Sequence, residues 1–510
     1  MATTAAAPKS APAPASLEGW WTRLVEVDFT RPGTFALLAI VYIASRAPFL
    51  AIGYGTDPDA WRIALSGLWL WDHGEFYPSR LPGYPLPELA SALVIKGGPV
   101  ATNGLTMLVS LGGVWFFAGI VKRLELPSPA LVVVGFAFTP LLWINSMTTM
   151  DYMWALTFIL GAYYFLLGGQ AWVAGLMLGL AVASRSTSAL MLAPMVLYLW
   201  RDQRRGEIRP FVVTVVFIAL IAWLPIYWKY DLSFLKFYDA KVGHLVVARL
   251  FAKDTLGILG ALGVLAAAAI SLPRLMRLPR DVLHDNDVML WVLSISLIMF
   301  SFLRLPHEAA YLIALYPFAF FIMARYFRPA ALTLAVSAIL LTGVFDLTAP
   351  GEEISAGELA ELRPGKGLIL SNRDTMLAQI DYTRDLEDLE FEGSTVVSTG
   401  FVYPILAVRN YDEWDVSILR KDRDAISQLS DAGQTIDLSA GSAGPVIYVW
   451  LLEWDDFAEF RERGFNFAFT QDAGRSQGAL YEYRMGLFGG EEIDLGRSPT
   501  GGSGTARTDR

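Results

Sequence analysis

The chain has 510 residues, of which 54% are hydrophobic, and it carries a formal net charge of −9. This composition is too apolar for a soluble protein of such length, and the negative charge, without a basic patch interleaved with aromatic residues, argues against a nucleic-acid partner. Cysteine is absent from the sequence, which excludes disulfides, thiol nucleophiles and zinc sites built on cysteine.

Repeated apolar runs between residues 31 and 349 predict a polytopic α-helical membrane domain, because about 20 helical residues cross the hydrocarbon core. The predicted spans, about eleven, cover 34–54, 101–121, 127–146, 151–168, 171–184, 187–200, 210–228, 256–272, 287–303, 309–324 and 330–348. The short fifth and sixth spans are predicted to form a broken or re-entrant pair around Arg185. Residues 1–30 begin with a stretch rich in Ala, Pro and Thr and are predicted to be a disordered cytoplasmic tail.

The charged residues of the short loops predict which way the spans run. Lys and Arg concentrate at 122–123, 201–209, 274–280 and 325–328, so these loops are predicted to be cytoplasmic. The unusual polar residues at the other helix ends then lie outside, although they are scattered over about 250 residues of sequence. We therefore predict a multi-pass protein of the inner or plasma membrane with an extracytoplasmic site.

Two carboxylates follow the first span directly, in Asp57-Pro58-Asp59, and Arg62 comes one turn later. In one interpretation, a carboxylate is the general base that takes a proton from an acceptor hydroxyl or amine, while its partner or Arg62 tunes its pKa. In the other, the sequence is a turn that caps the helix starting at Ala60. The two carboxylates could also hold a divalent cation, but nothing else in the loop favours one, and no metal site is predicted.

Further charged residues stand at predicted helix ends on the same side. Arg80 lies in a loop stiffened by prolines and a glycine, where its guanidinium can grip a phosphate with two parallel hydrogen bonds or snorkel to lipid headgroups. Asp151 either caps the fourth span or belongs to the site. A charge costs about 2.5–3.5 kcal/mol at the bilayer centre, so Arg185 and Arg46 are predicted to face protein, water or a lipid phosphate.

The segment before the tenth span reads Arg304-x-Pro-His-Glu-x-x-Tyr311. His307 and Glu308 are adjacent, and adjacent side chains on a helix diverge by about 100°, so they rarely share a metal alone. They are interpreted as substrate-binding polar groups, and the alternative is that they merely begin the span.

The composition changes after Leu347, where the chain becomes acidic and mixed. Runs at 367–371, 395–398 and 446–450 predict strands, and 454–463 predicts a helix. Residues 350–497 are therefore predicted to form a soluble extracytoplasmic α/β domain. The Gly-, Ser- and Thr-rich residues 498–510 are predicted to be a disordered tail.

Taken together, these motifs resemble the GT-C superfamily of polyprenyl-phosphate-sugar-dependent glycosyltransferases, and most of all its protein mannosyltransferase and aminoarabinose transferase branch (glycosyltransferase family 39-like). The resemblance covers roughly residues 30 to 350. It is carried by Asp57 and Asp59 after the first span, by Tyr77-x-x-Arg80-x-Pro-Gly-x-Pro85, by Gly175-Leu-x-Leu-Gly-Leu-Ala before Arg185, and by Arg304-x-Pro-His-Glu-x-x-Tyr311. Each motif is short, so the specificity lies in their combination.

The resemblance implies an inverting sugar transfer from a polyprenyl-phosphate donor to an extracytoplasmic glycan, lipid or protein acceptor. It implies that Asp57 or Asp59 is the catalytic base, that Asp151 lies near the acceptor or sugar, and that one or more arginines hold the donor phosphate. The full set of predicted substrate-binding residues is Arg62, Tyr77, Arg80, Arg185, Arg304, His307, Glu308 and Tyr311.

Two other classes of protein fit parts of the sequence. A transporter or flippase of a lipid-linked or anionic substrate would place polar residues near the membrane midplane, usually between matching halves, whereas here they cluster at the outer ends and no matching halves are evident. A membrane-anchored binding or assembly protein would work through residues 350–510, but about eleven spans are excessive for an anchor.

Overall fold

The structure is a computed structural model that describes residues 24–234, 243–278, 282–348, 361–387, 395–398, 402–409, 411, 446–451, 469–471, 478–480, 484–486 and 492–494. The predicted helix at 454–463, the tail at 498–510 and most of the tail at 1–30 lie outside these residues.

Helices dominate the described part of the chain up to residue 341. In chain order, they are α1 (Pro32–Arg46), α2 (Pro58–His73), α3 (Pro85–Val94), α4 (Gly98–Arg123), α5 (Pro129–Phe138), α6 (Pro140–Asn145), α7 (Tyr152–Leu167), α8 (Ala171–Ser184), α9 (Leu192–Arg201), α10 (Arg205–Tyr230), α11 (His244–Arg249), α12 (Ile258–Leu275), α13 (Asn286–Arg304), α14 (Tyr316–Tyr326) and α15 (Pro329–Leu341). The 3-10 turns Ser186–Met191 and Ala309–Leu315 precede α9 and α14.

Each predicted span coincides with one or more of these helices, and several spans are interrupted. Within the described residues, six helices or helix pairs are long and apolar enough to cross a membrane, and four shorter apolar helices accompany them. The predicted third span breaks between α5 and α6 at Pro140, which has no N–H to continue the ladder. The fifth ends at Ser184, because Arg185 takes an extended backbone. The exact number of crossings stays a prediction.

Arg46 lies at the end of α1, is fully buried, and pairs with another helix as predicted. Its Nε donates to Ser146 Oγ at 2.7 Å and its Nη2 donates to the Ala137 oxygen at 2.8 Å. Its guanidinium carbon also lies 3.4 Å from the centre of the Tyr42 ring. The arginine thus satisfies a carbonyl close to the break between α5 and α6.

Two glycines let α8 approach α10 closely. A Cβ on Gly175 would lie 2.5 Å from the Phe211 backbone oxygen, and one on Gly179 would lie 2.6 Å from Ile218 Cβ. This spacing of small residues every fourth position is a common way for helix backbones to pack in membranes. It explains the glycine-rich sequence before Arg185.

We expect Gly175→Ala to lower the melting temperature in detergent, because overpacking costs about 1–3 kcal/mol and a backbone oxygen cannot move aside as a flexible side chain would. Gly104→Ala on α4 is the matched control, since nothing lies within 4 Å of its Cβ position, and alanine alone favours the helix. Equal melting temperatures for the two variants, measured by fluorescence, would show that the approach of α8 to α10 is not this close.

Strands appear after the last apolar helix. β1 (Phe345–Thr348) pairs antiparallel with β2 (Glu361–Pro364). The strands β3 (Thr395–Ser398), β4 (Val446–Leu451), β5 (Phe469–Gln471) and β6 (Gly478–Leu480) form a mixed sheet in this order, and β7 (Arg484–Gly486) pairs with β8 (Glu492–Asp494). The predicted strands at 395–398 and 446–450 are therefore present.

The prediction of a strand at 367–371 is wrong. These residues begin α16 (Leu368–Glu387), which is followed after β3 by α17 (Val402–Arg409). A short apolar run cannot be assigned to strand or helix by periodicity alone. Here Met376 and Ile380, one turn apart, continue an apolar face that is buried against the membrane domain.

Candidate active site

The loop between α1 and α2 presents Asp57 at the start of a helix. Gly55 precedes it with φ +156°, and its backbone oxygen accepts a hydrogen bond from Trp61 Nε1 at 2.8 Å. Asp57 caps α2, because its Oδ1 accepts from the Asp59 N–H at 2.8 Å. The turn-and-cap interpretation is therefore correct as a description of the backbone, and it leaves the carboxylate free for a second role.

Asp59 is held by two arginines. Its Oδ1 accepts from Arg62 Nη1 at 2.8 Å and its Oδ2 lies 2.7 Å from Arg80 Nε. Both carboxylate oxygens are thus engaged by guanidinium groups, which fix the orientation of the Asp59 side chain. The two acids of the Asp57-Pro58-Asp59 sequence have different surroundings and are suited to different roles.

Asp151 bridges two arginines that come from distant parts of the chain. Its Oδ1 accepts from Arg80 Nη2 at 2.9 Å and its Oδ2 accepts from Arg185 Nη1 at 2.7 Å. Its side chain is fully buried, and it makes no capping hydrogen bond to α7. Asp151 thus occupies the N-cap position of α7, but its carboxylate is turned toward the arginines and does not cap the helix.

Hydrogen bonds and ring stacking near its own loop position Arg80. The neighbouring Ser79 donates its N–H to Glu88 Oε1 at 2.8 Å, and its hydroxyl donates to the same oxygen. Glu88 lies on α3 and is 1% exposed. The Arg80 guanidinium stacks over Tyr84, with 4.0 Å between its carbon and the ring centre. The Arg80 Nη1 atom is buried and has no hydrogen-bond partner among the described residues.

Aromatic rings surround the second arginine. The Arg185 guanidinium carbon lies 4.5 Å from the centre of the Tyr152 ring and 4.8 Å from that of Tyr311. The Tyr152 hydroxyl in turn donates to Glu308 Oε2 at 2.7 Å. The electron-rich faces of aromatic rings attract a guanidinium group but leave its positive charge in place. Glu308 and Tyr311 are in this way connected to the same cluster as Asp151.

A buried amide ties the loops of Asp57 and Asp151 together. Asn103 on α4 donates through Nδ2 to the Gly53 oxygen at 2.8 Å and to the Leu50 oxygen at 3.1 Å. Its Oδ1 accepts from Thr149 Oγ1 at 2.8 Å, and the Thr149 N–H donates to the Tyr54 oxygen at 2.8 Å. One side chain therefore sets the distance between the loops that lead to the two acids.

Two cavities adjoin the cluster. The larger, of about 610 Å³, contains Asp57, Asp59, Arg62, Asp254 and Glu308 in its wall. The smaller, of about 40 Å³, is lined by Arg185 together with Thr187, Ser188 and Ser301. Tyr152 and Ala310 line both. The larger cavity, whose wall holds four acids and Arg62, thus lies beside the smaller one at Arg185, with Tyr152 shared between them.

The surroundings of Asp57 disfavour its charge. Burial raises the pKa of its carboxyl well above the ordinary value, and the nearby charges of Glu308 and Asp59 raise it further. Arg80 and the hydrogen bond from the Asp59 N–H act in the opposite direction and are smaller causes. A carboxylate with a raised pKa is a stronger base than an ordinary one, as a general base near neutral pH requires.

Most of the predicted site residues meet in this cluster. Those brought together are Asp57, Asp59, Arg62, Arg80, Asp151, Arg185, Glu308 and Tyr311. Arg304 and His307 are exposed and line neither cavity. Tyr77 lies apart, packed edge-on against Trp69 and under Lys229, whose Nζ is 2.8 Å from the ring centre. These three residues lie outside the cluster, and their substrate-binding role stays a prediction.

Several residues of the cluster are not among those predicted from the sequence. Tyr84 lies inside the Arg80 motif and Tyr152 follows Asp151, so adjacency to a predicted site residue was the available signal. Asn103, Glu88 and Asp254 carried no such signal. A lone polar residue in an apolar or amphipathic run is informative only once its partners are known.

The acidic side chains do not form an evident metal site. Within the part of the chain that the structure describes, there is no group of three or more His, Cys, Asp or Glu that could hold a metal ion. Both oxygens of Asp59 face guanidinium groups. The divalent cation that Asp57 and Asp59 could hold stays a prediction.

Comparisons with known proteins identify the fold. No protein-family model and no curated protein sequence matches the chain. The crystal structure of ArnT from Cupriavidus metallidurans bound to undecaprenyl phosphate aligns with a TM-score of 0.52 at 10% identity, over 89% of this chain and 96% of that chain. The apo structure of ArnT from the same organism aligns with a TM-score of 0.49 at 11% identity, over 88% of this chain and 95% of that chain.

ArnT is an aminoarabinose transferase of the GT-C superfamily. At 10% identity, the likeness to its undecaprenyl-phosphate complex shows the fold and nothing finer. The predicted GT-C fold is thus confirmed, and the chain is a multi-pass α-helical membrane protein.

Proposed function

We propose that this protein is a membrane glycosyltransferase that moves a sugar from a polyprenyl-phosphate donor to an acceptor, with Asp57 as the general base. The observation that carries the proposal is the cluster itself. Asp57, with a raised pKa, lies in the wall of a cavity of about 610 Å³, and Asp59 in the same wall binds an arginine that reaches Asp151 and thereby Arg185. The GT-C fold and the undecaprenyl phosphate bound by ArnT support the choice of donor.

The arginines are suited to the donor phosphate. Arg80 keeps one buried nitrogen, Nη1, without a partner among the described residues, and Arg185 lines the small cavity together with threonine and serine residues. A guanidinium that already binds a carboxylate is held rigidly, so it meets an incoming phosphate without reorganisation. The phosphate binds on the arginine side, and the sugar extends past Tyr152 toward Asp57.

The reaction is a single displacement. The acceptor oxygen forms a bond to the anomeric carbon while the bond from that carbon to the phosphate oxygen breaks, and the electron pair leaves with the phosphate. Asp57 receives the acceptor proton. The arginines stabilise the charge that develops on the leaving phosphate, so no general acid is required. Attack from the face opposite the phosphate inverts the anomeric configuration.

We further propose that the site opens on the extracytoplasmic side of the inner or plasma membrane. The loops rich in Lys and Arg favour this orientation. A polyprenyl tail dissolves in the bilayer and presents the sugar at its surface, where nucleotide sugars are absent. The acceptor is then a glycan, lipid or protein on that side, and residues 350–497 belong to the same compartment.

The direct test is transfer by the purified chain in vesicles that contain a radiolabelled polyprenyl-phosphate sugar and extracytoplasmic envelope extracts as acceptor. We expect label to leave the lipid and enter an acceptor fraction. Release of the intact lipid-linked sugar to the opposite leaflet, without breakage of its phosphate bond, would instead identify a flippase.

The raised pKa of Asp57 predicts the pH dependence of the reaction. Only the deprotonated base can accept a proton, so activity should rise with pH through the raised pKa and be lost below it. Glu308→Gln removes a negative charge that contributes to this shift, so the acidic limb of the kcat/KM profile should move to lower pH. If the acidic limb did not move in Glu308→Gln, Glu308 would not be a cause of the raised pKa of Asp57.

A further inference from the structure

Helix α16 lies against the loop that carries Asp57, and two of its carboxamides bind one residue of that loop. Asn372 Nδ2 donates to Thr56 Oγ1 at 2.9 Å, and Gln379 Nε2 donates to the Thr56 backbone oxygen at 3.0 Å. The two side chains are seven residues apart, which places them on one face of the helix. Thr56 directly precedes Asp57, so α16 holds the residue next to the proposed base.

Apolar contacts accompany these hydrogen bonds. Met376 lies between the two carboxamides on the helix, Ile380 follows Gln379 directly, and the two apolar residues are 1% and 8% exposed. A Cβ on Gly53 would lie 3.2 Å from Ile380 Cδ1 and 3.4 Å from Met376 Sδ. The loop therefore contacts α16 at Gly53 and at Thr56. At Gly53, the space beside the backbone is too small for a larger side chain unless the neighbouring side chains move.

The same helix forms part of the cavity wall. Leu368, Ser371, Asn372 and Thr375 line the cavity of about 610 Å³ that also contains Asp57. The following helix, α17, packs against α2, which begins just after Asp57. The chain after the last apolar helix thus contacts both the loop and the helix that position the acid.

We propose that Asn372 and Gln379 are positioning residues, through which a helix outside the membrane-spanning part fixes the proposed base against its substrate. This inference rests on the proposed function. A base transfers a proton only within hydrogen-bond distance, and a displacement of about 1 Å can cost 100-fold in rate. Asn372 and Gln379 act on Asp57 through Thr56, whose side chain and backbone they bind separately.

The contact can be tested by a double-mutant cycle in the full chain in vesicles. Asn372→Ala and Thr56→Val each remove the Asn372–Thr56 hydrogen bond and are expected to lower kcat about tenfold, with KM for the lipid donor unchanged. Because both variants break one bond, the double variant should be no slower than either. Thr56→Ser keeps the hydroxyl and is expected to restore kcat. Additive effects, or an unchanged kcat in Asn372→Ala, would overturn the proposal.

Asp381→Asn is the matched control on the same helix, because Asp381 is 63% exposed and bonds Arg384 one turn away on α16 itself. It should leave kcat and KM unchanged. If Asp381→Asn lowered kcat as much as Asn372→Ala does, both losses would come from a general disruption of α16 and not from the contact with Thr56.

Crosslinking provides a readout that does not depend on activity. The chain has no cysteine, so a Thr56→Cys/Asn372→Cys pair can be joined by a short thiol-specific crosslinker without background reactions. We expect a crosslink in this pair and none in Thr56→Cys/Asp381→Cys. The reverse result would overturn the contact. A crosslink in this pair, together with a wild-type chain that transfers no sugar, would instead overturn the proposed function and leave the contact standing.

Discussion

Replacing Asp57 by asparagine is expected to lower the rate of sugar transfer about 10²–10⁴-fold, the usual contribution of a general base. The fold should survive, because asparagine caps a helix as well as aspartate and can accept the same hydrogen bond from the Asp59 N–H. A large loss of kcat at an unchanged melting temperature therefore reports on the carboxylate and not on the loop. The measurement is single-turnover transfer from the lipid donor, beside a thermal melt.

Asp59→Asn separates the two acids. Asp59 binds Arg62 and Arg80, so its replacement is expected to weaken the hold on Arg80 and to raise KM for the lipid donor more than it lowers kcat. If Asp59→Asn abolished turnover while Asp57→Asn kept full activity, the base would be Asp59 and not Asp57. Full activity in both variants would remove the mechanism.

The second large effect is expected for Asp151→Asn, which should destabilise the fold by about 3–5 kcal/mol and abolish transfer. Asp151 is fully buried between Arg80 and Arg185, and removing one member of a buried ionic cluster leaves charges without compensation. The two guanidinium groups would then repel each other and lose the geometry that the phosphate needs. Melting temperature and transfer rate are both measured.

Two further variants sharpen the interpretation. Asp151→Asn/Arg185→Met removes an uncompensated charge, so it should melt at a higher temperature than Asp151→Asn while remaining inactive. Asp72→Asn breaks an ion pair with Lys96 whose side chains are 31% and 45% exposed, and it should change stability by less than about 1 kcal/mol. An Asp151→Asn variant as stable as Asp72→Asn would show that the cluster is open to water.

The sequence predicted the parts of the site that are local in the chain. Asp57 and Asp59 after the first span, Arg80 in its proline-rich loop and the break at Arg185 are all visible in short stretches of sequence, and each lies where its motif suggested. The error at 367–371 has the same origin, since a five-residue apolar run holds too little periodicity to separate a strand from a helix. Arg304 and His307 share a motif with Glu308 and Tyr311, but motif membership does not determine which side chains turn inward.

By itself, the sequence determined that this chain enters a membrane and which stretches form its apolar helices, because hydropathy and the effects of proline and glycine act over neighbouring residues. Only the tertiary structure decided which charges meet. Arg80 and Asp151 are 71 residues apart, and Tyr152 and Glu308 are 156 apart. Their pairing depends on how helices pack, on glycines such as Gly175 and on Asn103, and these contacts have no signature in any short stretch of the chain. For the same reason, only the structure distinguishes Asp57, which accepts a hydrogen bond from the backbone of α2, from Asp59, which is bound by two arginines.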